Sequence, residues 1–237
     1  MATNPEGDYG PVLPGDAPSD YERYLRTDEL LALQKTEEER THHDELLFQT
    51  VHQSSELWLK HACVEVETAT ELMRRGDRAG AIRLLRRAVL GMRLVIDQLE
   101  MLEQMSPWEY QEVRRVLGHG SGFDSPGFVR VAASSPRLGE AFFSLLAEHD
   151  LTVVGLYQRG REFEDLYQLA ELLVDWDERV SIWRSHHYKV VERIIGAGVV
   201  GTQGTPVELL EHLPRRQFFP QLWQARTALT EAAKLED

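Results

Sequence analysis

Residues 41–60 contain no proline or glycine, and their apolar side chains recur every three or four positions. This period predicts a helix over 41–75 that begins at Thr41 as N-cap. Its buried stripe contains Leu47, Val51, Trp58 and Ala62. A neighbouring stripe at the border of the buried side contains Phe48, His52, Ser55 and Leu59. That second stripe carries an aromatic ring, an imidazole and a hydroxyl, so we predict that it forms one wall of a pocket.

The helical period continues through most of the chain, and alternation with period two is almost absent. The pattern predicts a short helix or ordered arm at 21–34 and helices over 78–104, 107–117, 135–149, 151–158, from 206 and over 218–234. Residues 161–195 are predicted to form one long helix or two abutting ones. The predicted fold is therefore all-α, a bundle of long amphipathic helices. Residues 1–19, with four prolines and three glycines, are predicted to be a flexible arm, and residues 20–237 a single domain.

Composition narrows the classes of partner. The chain has 237 residues and a formal net charge of −13, whereas a nucleic-acid-binding protein usually presents a basic face. The only cysteine is Cys63, which suits a reducing compartment. No apolar run approaches the roughly 20 residues that span a bilayer, and no signal-peptide pattern begins the chain. We expect a cytoplasmic protein that binds neither nucleic acid nor membranes.

Scattered histidines and glutamates in a helical bundle raise the question of a metal site. A di-iron carboxylate site requires paired Glu-x-x-His motifs, and only Glu39 and His42 have that spacing. His42, His43 and Asp44 could supply zinc ligands, but the chain has no His-x-x-x-His motif and no cysteine pair. Neither spacing is sufficient for a metal site.

A single axial histidine between helices would be enough to hold haem. Trp183, His187, Val191 and Ile194 follow at helical spacing and form one apolar stripe, which places His187 inside the bundle. His186 is turned about 100° towards the polar side. Periodicity alone favours a core histidine satisfied by a hydrogen bond, and it leaves the haem ligand as the alternative.

Several motifs resemble one known family. The stretches HDELLF at 43–48 and HQSSELWLK at 52–60 are similar to the signature of the tryptophan 2,3-dioxygenases. Further similar stretches follow the family's order at 21–25, 110–118, 121–125, 182–187, 201–202 and 218–223. The chain departs from the family at Asp124, where glutamine is usual, and in a segment between Phe123 and His187 that is shorter by several tens of residues.

The resemblance implies an all-α enzyme with non-covalent haem b, ferrous iron and O2 as co-substrate, assembled as a homo-oligomer. His187 would be the axial iron ligand. His52, on the opposite side of the haem, would hydrogen-bond to the indole N–H, and Phe48 would pack on the indole. Arg114 would bind the substrate carboxylate by a charge-assisted hydrogen bond.

The remaining site residues are also implied by the resemblance. Thr202 would contact the substrate ammonium or carboxylate. Tyr110 and Ser121 would line the site, with Ser121 next to the cofactor as well. The substrate-binding residues supplied by a neighbouring subunit would be Tyr21, Tyr24 and Leu25.

The activity implied is insertion of oxygen at the indole C2–C3 bond of L-tryptophan or a substituted tryptophan. Addition of both oxygen atoms gives an N-formylkynurenine-type product. The alternative is a monooxygenase of secondary metabolism that converts a derivative such as β-methyltryptophan to a 2-oxindole. A third hypothesis, a non-catalytic helical assembly protein, requires only the amphipathic helices.

Overall fold

The fold is built from helices joined by short connections. The computed structural model describes residues 10–201, 204 and 206–234, and these contain helices, turns and one isolated β-bridge between Val200 and Pro206. The α-helices are α1 (Asp20–Leu25), α2 (Thr27–Leu31), α3 (Asp44–Arg74), α4 (Arg78–Asp97), α5 (Leu99–Leu102), α6 (Pro107–Val116), α7 (Pro126–Glu148), α8 (Val153–Gln158), α9 (Glu164–Ile195) and α10 (Pro220–Ala233). Two 3-10 helices occupy Gly122–Asp124 and Val207–Arg215. The predicted all-α class is confirmed.

Helix α3 begins three residues later than its pattern indicates. His43 is the N-cap, with helical dihedral angles and no capping hydrogen bond from its side chain. Thr41 instead donates its backbone N–H and its hydroxyl to the carboxylate of Glu45, at 2.8 and 3.2 Å. Glu45 is buried and also forms an ion pair with Lys35. The prediction that Thr41 caps the helix is wrong, because Thr41 hydrogen-bonds to this buried carboxylate instead.

The central packing layer is formed by α3 with α4 on one side and α7 on the other. Gly91 of α4 allows close approach, since a Cβ there would lie 3.4 Å from Cβ of Ala62 and 3.7 Å from the carbonyl oxygen of Trp58. The contact is therefore made by the backbone at Trp58. The side chain is 41% exposed, so the prediction that Trp58 belongs to the core stripe is wrong.

Helix α7 is longer than predicted. It begins at Pro126, with Ser125 as N-cap accepting a hydrogen bond from the Phe128 N–H at 3.1 Å. Pro136 lies inside the helix, where a proline normally breaks the backbone pattern. The neighbouring Ser135 is fully buried and accepts a hydrogen bond from Nε1 of Trp176 in α9 at 2.9 Å. Helix α7 therefore continues on both sides of Pro136, next to its predicted beginning, because tertiary packing stabilises it there.

Most of the buried apolar residues that the structure describes fall into two clusters. The larger cluster contains the second half of α3, the first half of α9 and parts of α4, α7, α8 and α10. The smaller cluster lies at the opposite ends of α3 and α9 and contains Val51, Leu99, Leu102, Met105, Val113, Val190 and Ile194. Among the helices of the described residues, none is long and apolar enough to cross a membrane.

The C-terminal segment is held by one buried carboxylate on α9. Asp177 is 2% exposed and accepts hydrogen bonds from the backbone N–H groups of Phe218 and Phe219, at 3.0 and 3.2 Å. It also accepts a hydrogen bond from Nε1 of Trp223 at 2.9 Å. These three donors satisfy the buried charge, so α10 is fixed against the bundle at its beginning.

Candidate active site

A cavity of about 700 Å³ lies beside the smaller cluster, and its lining is mostly apolar. Helices α3, α6, α7 and α9 and both 3-10 helices contribute to its walls. The predicted site residues that line it are Phe48, His52, Tyr110, Arg114, Ser121 and His187. Residues far apart in the sequence therefore meet around one space.

The α3 wall presents His52 in one defined tautomer. Nδ1 lies 2.7 Å from the carbonyl oxygen of Phe48, and the two rings pack with centroids 4.0 Å apart. A carbonyl only accepts, so Nδ1 carries the proton and Nε2 of the neutral ring is an acceptor. The ring lines the cavity. Desolvation by the surrounding protein lowers the pKa of His52, although the Phe48 carbonyl and the Glu56 carboxylate act in the opposite direction. The neutral form therefore prevails at neutral pH.

The cavity face of α3 continues through Glu56, and not through Ser55 and Leu59 as predicted. The Ser55 hydroxyl lies 3.4 Å from the Gln98 side chain, and Leu59 is 1% exposed in the main core. Both predictions for the pocket wall are wrong, because Ser55 contacts Gln98 at the end of α4 and Leu59 packs beside Gly127 of α7. Residues 48, 52 and 56 line the cavity, at intervals of four positions along the helix.

Glu56 joins α3 to the beginning of α7. Its carboxylate accepts hydrogen bonds from the Ser125 hydroxyl and from the Gly127 N–H, the latter at 2.9 Å. A Cβ at Gly127 would lie 2.7 Å from Oε2 of Glu56 and from the Leu59 side chain, so glycine is required by the close approach. The carboxylate also lies where the dipole of α7 favours negative charge. Sequence reasoning did not identify Glu56, and its position four residues after His52 was the available signal.

The α6 wall carries Tyr110 and Arg114 one turn apart. The Tyr110 ring lies 6.2 Å from that of Phe48, and burial raises the pKa of its phenol, with Arg114 opposing. The Arg114 guanidinium donates to the carbonyl oxygen of Val200 at 2.7 Å, which ties α6 to the loop that follows α9. A guanidinium has several N–H donors, so this bond leaves others for a ligand in the cavity.

The loop before α7 brings a small residue close to His187. Ser121 caps the 3-10 helix: its hydroxyl accepts from the Phe123 N–H at 3.3 Å, and Asp124 accepts from the Ser121 N–H at 3.2 Å. A Cβ at Gly122 would lie 3.9 Å from both Cε1 and Nε2 of His187. The capping box thus places Gly122 beside the imidazole, a feature that the sequence motif alone did not reveal.

The α9 wall presents His187 without a hydrogen bond to either ring nitrogen from the residues that the structure describes. Its ring is stacked on that of Trp183, with centroids 4.7 Å apart and an interplanar angle of 10°. Burial lowers the pKa of His187 to about 4, and His52 and His186 act in the same direction. A core histidine would be expected to have a hydrogen-bond partner. A neutral, unpartnered imidazole at a large apolar cavity fits the requirements of a haem iron ligand.

The other histidines considered from the sequence lie outside the cavity. Nε2 of His186 lies 2.7 Å from the Glu103 carboxylate, on the polar side where the periodicity placed it. Nδ1 of His42 accepts the Asp44 N–H at 3.1 Å at the entrance to α3, and His43 is the N-cap. Among the described residues, no group of three His, Cys, Asp or Glu side chains is arranged to hold a metal ion.

The predicted arm residues do not line the cavity of their own chain. Tyr21, Tyr24 and Leu25 lie on α1 and are 69%, 77% and 46% exposed. Thr202 lies outside the described residues, although its neighbour Gly201 lines the cavity. The substrate-binding roles of all four therefore stay predictions.

Comparison with known proteins gives one family. The family model of tryptophan 2,3-dioxygenase matches residues 11–134 and 129–229. The tryptophan 2,3-dioxygenase of Caulobacter vibrioides is 35% identical over an alignment of 260 positions, gaps included, which covers 88% of this chain and 98% of that protein. The enzymes of the same name from Bacillus anthracis and Serratia proteamaculans are 31% and 29% identical, with 88% of this chain and 92% of each relative aligned.

Proposed function

The chain belongs to the tryptophan 2,3-dioxygenase family, and we propose that it performs the reaction that gives the family its name. The substrate is L-tryptophan, and both atoms of O2 are added across its indole C2–C3 bond to give N-formylkynurenine. The observation that carries this proposal is the meeting of His52, Arg114 and an unpartnered His187 around one apolar cavity.

Haem b is the cofactor expected for this family, and the residues at the cavity fit it. His187 would hold the iron, because its ring nitrogens are neutral and without a partner among the described residues. Ser121 and Gly122 would lie next to the porphyrin. When bound, haem with ferrous iron supplies the activation of O2. The protein supplies binding, orientation and exclusion of water.

His52 would orient the indole. Its Nδ1 proton is donated to the Phe48 carbonyl, so Nε2 is the atom that accepts the indole N–H. The neutral ring holds the substrate by this hydrogen bond without removing its proton. Phe48 would pack on the indole, and the tilted contact between its ring and His52 fixes both side chains together.

Arg114 would bind the substrate carboxylate. A guanidinium and a carboxylate form a bidentate, charge-assisted pair, and the mostly apolar walls strengthen it. The Val200 carbonyl that Arg114 binds comes two positions before the predicted substrate contact Thr202 in the sequence. Tyr110 would complete the wall one turn away from Arg114.

The α1 arm would complete the site of a second copy in a homo-oligomer. Its two tyrosines are largely exposed in the single chain, where aromatic rings gain little from packing. Mixing experiments test this arrangement. We expect His187→Ala protein and protein with Tyr21→Ala and Tyr24→Ala, each inactive alone, to recover part of the activity in mixed oligomers. Complete absence of recovery in confirmed mixed oligomers would contradict the arm's role.

The central experiment is an absorption spectrum of the reduced protein with and without L-tryptophan, followed by the mass of the product. We expect a haem band that His187→Ala removes and a product that contains two added oxygen atoms. One added atom would identify the 2-oxindole-forming alternative. A wild-type protein that cannot take up haem would overturn the oxygenase proposal and leave the non-catalytic hypothesis.

A further inference from the structure

We propose that Trp183 is a positioning residue that sets the ring plane of His187, and that Phe128 supports it from α7. The inference rests on the proposed function, because it concerns the imidazole that would hold the haem iron. Trp183 precedes His187 by one helical turn, so the two side chains lie on the same face of α9.

The geometry is a stacked pair of rings on α9 with a third, tilted ring from α7 against it. The rings of Trp183 and His187 are nearly parallel, at 10° and 4.7 Å between centroids. The ring of Phe128 lies 3.8 Å from that of Trp183 at an interplanar angle of 32°. Trp183 thus contacts an aromatic ring on α7 as well as the imidazole on its own helix.

The stack matters because no hydrogen bond from the described part of the chain restrains the imidazole. Axial histidines usually donate a hydrogen bond from the N–H of their second ring nitrogen to a neighbouring acceptor, which fixes the orientation of the ring. His187 has no such protein partner among the described residues. The parallel stacking on Trp183 therefore restrains rotation of the His187 ring about its bond to Cβ.

The position of Phe128 is itself fixed from the opposite wall of the cavity. The Ser125 hydroxyl accepts the Phe128 N–H at 3.1 Å, and the same hydroxyl donates to Glu56 on α3. Contacts therefore run from the helix of His52, through the beginning of α7, to the ring that stacks on Trp183 and so reaches His187. The orientation of the predicted iron ligand depends on this α7 turn as well as on α9.

The first experiment needs no haem. In NMR spectra of the haem-free protein, the ring current of Trp183 should shift the His187 ring protons upfield. Trp183→Leu should remove that shift, and Trp183→Phe should keep a smaller one. Unchanged His187 ring shifts in Trp183→Leu would overturn the stack itself, and this result does not depend on the proposed enzyme activity.

The second experiment uses the haem-loaded protein. Electron paramagnetic resonance of the ferric form reports the plane of an axial imidazole through the rhombicity of the g values. We expect Trp183→Leu to change the rhombicity and to weaken haem binding by about three- to tenfold, the size of one aromatic contact. Trp183→Phe should remain near wild type, and Phe128→Leu should change the rhombicity in the same direction by less.

The matched control is Trp176→Phe on the same helix. Trp176 is fully buried in the main core and does not line the cavity. This variant should lower thermal stability, through loss of the bond to Ser135, and leave the g values and haem affinity unchanged. Identical g values in Trp183→Leu and wild type would overturn the positioning role, as would equal spectral changes in Trp176→Phe. Failure of the wild-type protein to bind haem would instead overturn the proposed function.

Discussion

Nδ1 of His52 and the carbonyl oxygen of Phe48 are 2.7 Å apart, one turn from each other in α3. The bond fixes the tautomer, so only Nε2 is free to accept a proton donor from the cavity. Nε2 is therefore the atom that would contact a substrate N–H, and a substrate that lacks this N–H tests the contact.

We therefore predict that His52→Ala lowers kcat/KM for L-tryptophan by roughly tenfold, the worth of one hydrogen bond. With 1-methyltryptophan, which lacks the indole N–H, the same substitution should have little effect on the already low activity. Steady-state kinetics with both substrates checks this. His61→Ala, on an exposed part of the same helix, is the control. Equal losses with both substrates would contradict the hydrogen bond.

Arg114→Ala should raise KM for L-tryptophan by about a hundredfold, because it removes a charge-assisted bond in an apolar site. Arg115→Ala is a closely matched control: it removes the same charge from the next position, where the side chain is 69% exposed and paired with Glu112. Tryptamine, which has no carboxylate, should lose nothing on Arg114→Ala. An unchanged KM would remove Arg114 from its proposed role.

Gly122→Ala should impair haem uptake without destabilising the haem-free protein. The added methyl would lie 3.9 Å from Nε2 of His187, an ordinary contact when the cavity contains no cofactor. Metal–imidazole bonds are about 2 Å long, so iron and porphyrin would need the same space. Haem titration and thermal unfolding of the haem-free protein measure the two effects. Gly198→Ala, where a Cβ meets nothing within 4 Å, is the control. Normal haem affinity in Gly122→Ala would contradict the placement.

The haem-free protein should lose stability as pH falls. The pKa of His187 is about 4 in the folded chain and 6.5 for the free side chain, so between these values the unfolded state binds more protons. The stabilising contribution of the neutral ring is complete above 6.5 and is lost as pH falls towards 4. We expect a loss on the order of 2 kcal/mol that is absent in His187→Leu. Urea unfolding of both proteins at about pH 7 and pH 4.5 checks this, and parallel pH dependences would contradict it.

Periodicity and motif order predicted much of this molecule. The three-to-four spacing identified the long helices, and the stripe through Trp183 and His187 placed that histidine inside. The motifs then linked it to His52, although the two residues lie on different helices. These features depend on the spacing of residues within one helix or on the order of motifs along the chain, and both can be read directly from the amino-acid sequence.

The predictions that were wrong depend on how the helices pack against one another. Glu56 lines the cavity and Ser55 does not, and the contacts of the two residues, with Gly127 of α7 and with Gln98, lie between helices. The beginning of α7 was hidden because Pro136 breaks helical patterns, and only the packing of Trp176 on Ser135 reveals why the helix continues. The stack of Phe128 on Trp183 joins two helices and has no signature within either.

The division of the buried residues into two clusters also bears on the dynamics of the chain. The cavity end of α3 and of α9 rests on the smaller cluster, and the other ends are held in the larger one. Local opening of a helix end requires less free energy where fewer apolar contacts are lost. Amide hydrogens around Val51 and Val190 should thus exchange through partial opening, while those around Val66 and Leu173 exchange only when the whole chain unfolds. A ligand that contacts the cavity ends of both α3 and α9 would slow the exchange of the amides around Val51 and Val190 alone. Each bound molecule would thus make the less stable end of the bundle as resistant to opening as its core.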